Sequence, residues 1–154
     1  GEATRVMSLR DGSKKMSKSD PSDYSRITFT DGPDEIAQKI RKAKTDPQPI
    51  PQSADEFTAR PEAANLITIF ASLADISADE VLRDYGGQQF SEFKKALTDL
   101  AVEKLGHVGQ EMQRLTNDPG YVDSVLKDGA ERADAIAQPV LQEVYETVGF
   151  LNVR

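Results

Sequence analysis

Between residues 90 and 115 apolar side chains recur mostly at steps of three and four: Phe90, Phe93, Leu97, Leu100, Leu105, Val108, Met112 and Leu115. Only an α-helix brings such a series onto one face, and a helix of up to seven turns must be covered by other elements. This longest stripe therefore supplies the centre of a helical core. Phe90 and Phe93 read as core packing, not as a base-stacking platform. Gly106 and Gly109 are expected to weaken or bend the helix, with His107 between them as a satisfied structural residue at the bend.

Shorter helices surround it. Pro33 at a first turn, Asp34 and Glu35 behind it and Lys39 to Lys44 at the far end suit the two poles of a helix over 33–44. Ala64, Leu66 or Ile67, Phe70 and Leu73 give one apolar face over 61–73, and Ser77 with Glu80 forms a capping box for a helix that Gly86 and Gly87 end. Asp118-Pro119 opens a short helix near 121–126. A last helix runs from Ala130 to Val148 with a kink at Pro139. Pro47, Pro49 and Pro51 make 45–53 a linker or exposed loop, since proline lacks the donor that helices and central strands need. Residues 31–154 thus read as an all-α helical bundle joined by short polar turns. Ahead of it, residues 6–9 read as one short strand without a partner strand, and residues 10–21 as a mobile loop.

Composition narrows the chemistry. There is no cysteine and one histidine, so thiolate or His-rich metal sites are excluded, and no apolar run is long enough to span a membrane. A cytoplasmic protein is expected. The net charge of −7 argues against bulk electrostatic grip on nucleic acid, but it is uneven. Residues 1–44 carry ten basic and seven acidic side chains, and the remainder carries nine and nineteen. Phosphate chemistry belongs at the N-terminal end.

That end contains Lys14-Lys15-Met16-Ser17-Lys18-Ser19: three ammonium groups, two hydroxyls and backbone N–H donors in one loop. Such an inventory suits a polyphosphate and the charge that develops on leaving pyrophosphate. A solvated basic loop or a phosphorylation target is the plain alternative. With equally frequent residue types, a given pentamer would occur in such a chain with a probability on the order of 10⁻⁴ or less, which makes coincidence the minor explanation.

The run Lys15-Met16-Ser17-Lys18-Ser19 is similar to the second signature of class I aminoacyl-tRNA synthetases. The preceding Arg5-Val6-Met7-Ser8-Leu9 and the following Asp20-Pro21 resemble the tryptophanyl-tRNA synthetases of bacteria and organelles. So do residues 36–46, Asn65-Leu66, and residues 129–133. The resemblance spans nearly the whole chain, though only the pentamer is highly specific. It implies a C-terminal part of the enzyme: residues 1–30 as the edge of a Rossmann-like catalytic domain, residues 31–154 as an α-helical tRNA-binding domain of the anticodon-binding type. It further implies that Lys15 and Lys18 stabilise ATP phosphates while tryptophanyl-adenylate forms. Met16, Ser17 and Ser19 complete the ATP loop, and Val6 lies beside the adenine. Mg²⁺ would accompany ATP; tRNA(Trp) and tryptophan are the other partners, and the full-length protein would be a homodimer joined through its catalytic domain.

The chain departs from the family in lacking the nucleotide-binding sheet, the first signature with its two histidines and the tryptophan pocket. Alone it is expected to be inactive and monomeric. Arg83, Lys94, Lys95, Arg114, Lys127 and Arg132 are the inner candidates for contact with tRNA. Two other readings stay open: a free-standing helical module that binds tRNA or protein without catalysis, and part of a tyrosyl-tRNA synthetase, which shares the fold and the loop.

Overall fold

The computed structural model describes residues 5–150. The chain divides into two units, residues 1–112 and residues 113–154.

The first unit opens on a hairpin. Strand β1 (Met7–Ser8) pairs antiparallel with β2 (Asp11–Lys15), Met7 opposite Lys15 and Ser8 opposite Asp11, with an irregularity in register between them. This corrects the expectation of an unpartnered strand and of an irregular loop from residue 10. The sequence Asp-Gly-Ser-Lys-Lys of β2 has no alternating apolar face, so its pairing leaves no periodic trace; it is held by backbone bonds and by the packing of Gly12. Gly12 is buried against the start of the second long helix, where a Cβ would lie 2.5 Å from Glu62 N.

Helix α1 (Pro33–Arg41) starts with its proline at the first turn and buries Ile36 and Ile40, and its helical turns stop short of the expected residue 44. Helix α2 (Pro61–Ala74) buries Leu66, Ile67 and Phe70 and ends on Asp75 in the left-handed region, φ 57°. Helix α3 (Ala78–Tyr85) begins with the expected capping box: Glu80 N donates to Ser77 Oγ at 3.2 Å, and Ser77 N donates to Glu80 Oε2 at 2.9 Å. Helix α4 (Phe90–Thr116) runs unbroken through Gly106, exposed His107 and Gly109, so neither glycine ends it. Gly109 serves close packing instead, since a Cβ there would lie 2.8 Å from Phe29 O. Phe93, Leu97 and Ala101 of α4 are fully buried with Leu9, Ile36, Leu66 and Val81 in one core. Full burial of each large side chain stabilises by roughly 1.5–3 kcal/mol.

The proline-rich segment is a loop exposed at residues 47–49 and 52–53, as expected, but anchored at its centre. Ile50 and Pro51 are buried, Ile50 N donates to Gln88 O at 2.8 Å, and Gly87 N donates to Ile50 O at 3.0 Å. Residues after α3 thus supply the partners that proline cannot. Arg60 fastens the same segment, with Nε and Nη2 on the two oxygens of Asp46 at 2.9 and 2.8 Å and Nη2 on Pro49 O at 2.6 Å.

In the second unit α5 (Pro119–Val148) replaces the two helices expected there. Asp118 accepts from Tyr121 N at 3.1 Å and Pro119 occupies the first turn. Gly129 costs only about 1 kcal/mol relative to alanine inside a helix, and good helix formers flank it. Lys127–Glu131 and Arg132–Asp128 pairs also span that point. The helix continues across Pro139 and closes on Gly149 at φ 74°, where Phe150 N donates to Tyr145 O at 2.9 Å in a Schellman turn. None of its described residues is buried: Ile136, Val140, Val144 and Val148 form an exposed apolar row.

Candidate functional site

The lysine-rich loop leaves the hairpin at Lys15, the last residue of β2. Met16 N donates to Val6 O at 3.1 Å and its half-buried side chain packs on the core, so the loop is pinned at its second residue. Val6 thus has its carbonyl engaged by the loop itself. Beyond Met16 a tight turn forms: Ser17 Oγ and Ser19 Oγ lie 2.9 Å apart, and Ser19 N donates to Ser17 Oγ at 3.3 Å. Lys15, Ser17, Lys18 and Ser19 are exposed.

The three loop lysines are not equivalent. Lys14 Nζ lies 3.2 Å from Asp11 Oδ2, and Asp11 also accepts from Ser13 N and Oγ at 3.1 and 2.6 Å. The Ser13 donors, with Lys14, hold the Asp11 carboxyl down at about 2. Neither Lys15 nor Lys18 meets a carboxylate among the described residues. A fixed turn bearing two uncompensated ammonium groups and two hydroxyls can take phosphate oxygens.

Near the loop stands a charge cluster centred on the buried Lys39. Arg26 Nη1 donates to Asp20 O at 3.0 Å and Ser22 O at 3.3 Å, holding the loop's exit. Lys39, 3% exposed, reaches Asp31 at 2.7 Å and Asp23 at 2.8 Å. Burial alone would raise the pKa of Asp31, but Lys39 and the Thr28 donors outweigh it and hold the group below the ordinary carboxylate value. Its folded pKa lies below its unfolded one, so the stability it contributes is present above about pH 4 and is lost as pH falls through the folded value. The Asp31→Asn variant should therefore lose less melting temperature than the parent between pH 6 and pH 3. The expected difference is about 2–4 °C, the effect of ~1 kcal/mol in a chain of this size; equal acid-induced shifts would show that Asp31 carries none of it.

Sequence reasoning quoted Asn65 only as part of the resemblance and gave it no role. Buried on α2, its Oδ1 accepts from Met7 N at 2.9 Å and its Nδ2 donates to Met7 O at 2.9 Å and Ser8 O at 3.3 Å. The available signal was a lone carboxamide in the otherwise apolar run of α2.

Of the inner cations expected to meet nucleic acid, most are engaged locally. Arg83 pairs with Asp84, Lys127 with Glu131 and Arg132 with Asp128, and Arg114 lies over the Tyr121 ring. Lys94 Nζ donates to Ala43 O at 2.7 Å and Arg41 O at 3.2 Å, capping the carbonyls after α1; burial and nearby Arg10 lower its pKa. Lys95 alone remains, and Arg41, which sequence reasoning did not single out, stands with it. Both are exposed without a carboxylate partner among the described residues, on a cleft of about 540 Å³ whose lining includes Ala37, Phe90 and Asp99.

Residues 2–106 match the family model described as tRNA synthetases class I (W and Y). The chain is 56% identical over 152 residues to the tryptophan–tRNA ligase of Mesorhizobium japonicum, covering 99% of this chain and 43% of that protein. To the ligase of Rhizobium meliloti it is 57% identical over 152 residues, with the same coverage of 99% and 43%. The chain therefore spans less than half the length of these relatives. Among solved structures it resembles the tryptophanyl-tRNA synthetase of Mycoplasma pneumoniae, with a TM-score of 0.73 at 25% identity over 96% of this chain and 46% of that one. The Campylobacter jejuni enzyme complexed with ADP and tryptophan gives a TM-score of 0.68 at 25% identity, covering 96% and 44%.

Proposed function

Since this chain belongs to the class I tRNA synthetases of the tryptophan and tyrosine family, we propose that it forms part of a tryptophan–tRNA ligase and carries its ATP-phosphate loop. The observation that supports this most is the pinned turn with Lys15 and Lys18 free of carboxylates. In the proposed reaction a tryptophan carboxylate oxygen attacks the α-phosphorus of ATP. The bond from that phosphorus to the bridging oxygen breaks, and the electron pair leaves on pyrophosphate. Lys15 and Lys18 offset the growing charge, Ser17 and Ser19 donate to phosphate oxygens, and Val6 lines the adenine side. The adenylate then transfers tryptophan to its tRNA.

Among the described residues no group of three His, Cys, Asp or Glu could hold a metal ion. Mg²⁺ enters this reading only as the companion of ATP. No helix of the described residues is long and apolar enough to cross a membrane, and we place the enzyme in the cytoplasm. We assign residues 1–30 to the catalytic domain's edge and 31–154 to a helical tRNA-binding domain, with the homodimer contact in the catalytic part. The full-length protein should catalyse tryptophan-dependent exchange of pyrophosphate into ATP; exchange supported by tyrosine instead would move the assignment to the sister enzyme, and no exchange with either would leave the binding-module reading.

Arg41 and Lys95 are the tRNA contacts we propose within the helical part, reaching phosphates from the rim of the cleft. The Arg41→Ala/Lys95→Ala protein should bind tRNA(Trp) about tenfold more weakly, with a salt dependence shallower by roughly 0.7 per lost phosphate contact, while pyrophosphate exchange is unchanged. An unaltered salt slope would remove this cleft from the interface.

A further inference from the structure

We infer that Asn65 is a positioning residue for the lysine loop, its side chain standing in for a missing neighbour of β1 so that α2 sets where Lys15 begins. This rests on the reading of Lys15 and Lys18 as the phosphate clamp.

One edge of β1 pairs with β2; on its other side Met7 turns its N–H and C=O toward α2. A strand would normally satisfy both groups, and leaving them buried and unpaired would be costly. Asn65 offers one acceptor and one donor group on the same side chain, as a peptide group does, and reaches both atoms of Met7 at 2.9 Å. It is the only polar residue among those α2 buries. An aliphatic residue there could not make these bonds.

Met7 is the residue that faces Lys15 across the hairpin, and Val6, its neighbour, accepts from Met16 N. Asn65 is therefore linked to Lys15 through a single residue, Met7. The rest of the hairpin is held by the segment after α1 and by the start of α2: Lys44 N donates to Leu9 O at 2.7 Å, Arg10 Nη1 donates to Lys42 O, and Gly12 rests on Pro61 and Glu62. Any displacement of α2 is transmitted through Asn65 to the strand from which the loop springs. Asn65 itself is buried and has no access to a nucleotide, so it acts through the loop alone.

The test uses the full-length ligase carrying Asn65→Asp. An ionised carboxylate can still accept from Met7 N–H, but it confronts the carbonyls of Met7 and Ser8, where the native amide donates. Protonation restores a donor. The rate constant for tryptophan-dependent pyrophosphate exchange should fall about 10–100-fold at pH 8. Relative to the parent at each pH it should recover by up to tenfold per unit as pH falls toward 6, since the protonated fraction rises by that factor above the pKa. Tryptophan binding without ATP should stay within about twofold of the parent, as a loop-positioning role requires. A pH-independent deficit, or an equal loss of tryptophan binding, would overturn the inference. Should that variant fail to fold, Asn65→Ser serves: it must lower the exchange rate constant about fivefold or more with tryptophan binding intact, and an unchanged rate constant overturns the inference. If the parent protein fails to activate tryptophan, or activates it equally well without Lys15 and Lys18, the underlying reading falls instead, whatever Asn65→Asp does.

Discussion

Replacing either Lys15 or Lys18 with alanine in the full-length ligase should lower tryptophan-dependent pyrophosphate exchange by about 10²–10³-fold, the scale on which loss of one donor aimed at developing charge is felt. Both ammonium groups are exposed and meet no carboxylate among the described residues. Their charge is not already offset by a partner and would be available to the phosphates of the proposed substrate. The Met16 anchor and the Ser17–Ser19 contact give the turn its shape without them, so the substitutions remove charge and leave the fold. Lys14→Ala is the internal control. Its ammonium already serves Asp11 at 3.2 Å, and its loss should change the rate by less than about threefold. Equal losses at all three positions would mean that the loop contributes only a diffuse positive field. Retained activity at Lys15 and Lys18 would mean that pyrophosphate leaves against other groups.

Phe93→Ala should destabilise the chain by about 3–5 kcal/mol, measured as the shift in a chemical unfolding curve. The Phe93 ring is fully buried and meets two others: Phe70 stacked at 5.4 Å and Tyr85 edge-on at 5.3 Å, themselves 5.1 Å apart. The three rings come from α2, α3 and α4, so truncating the central one opens a cavity among three helices whose backbones cannot easily close it. Phe29, 52% exposed, offers the comparison; its truncation should cost less than about 1 kcal/mol. A small effect at Phe93 would indicate that the three helices can collapse onto the gap.

Helices were legible where a pattern and a stop signal coincided. Ser77, Glu80, Gly86 and Gly87 mark both ends of α3, and the stripe from Phe90 marks α4, because caps and amphipathic faces are local in sequence. The hairpin was not legible. Its second strand is polar throughout, and its first strand and the residue after it are held by Asn65, Lys44 and Ser25, residues distant in the chain whose bonds to residues 7–9 have no local signature. The anchoring of the proline segment was hidden for the same reason, since its donors and acceptors are met by Gly87, Gln88 and Arg60. At α5 two helices were expected where one runs through, and the gap between them holds no helix stop beyond Gly129, which costs only about 1 kcal/mol relative to alanine. Within the site, the pentamer made Lys15 and Lys18 visible at once. What only the fold separates is Lys14 from those two, and Lys94, spent on the end of α1, from Lys95 beside it.

The seat of Gly12 has an evolutionary consequence. A Cβ at that position would strike Pro61 C and O and Glu62 N at 2.5–2.6 Å, and these are main-chain atoms. A clash with a side chain can be relieved by a smaller neighbour, but every possible neighbour presents the same main chain. Trimming the side chains of Pro61 and Glu62 therefore leaves the clash of a larger residue at position 12 in place, and the main chain itself has to move. A lineage that lost this glycine could recover only by rerouting the backbone, through an insertion or deletion near residue 61, and would have to re-aim the lysine loop in the same event.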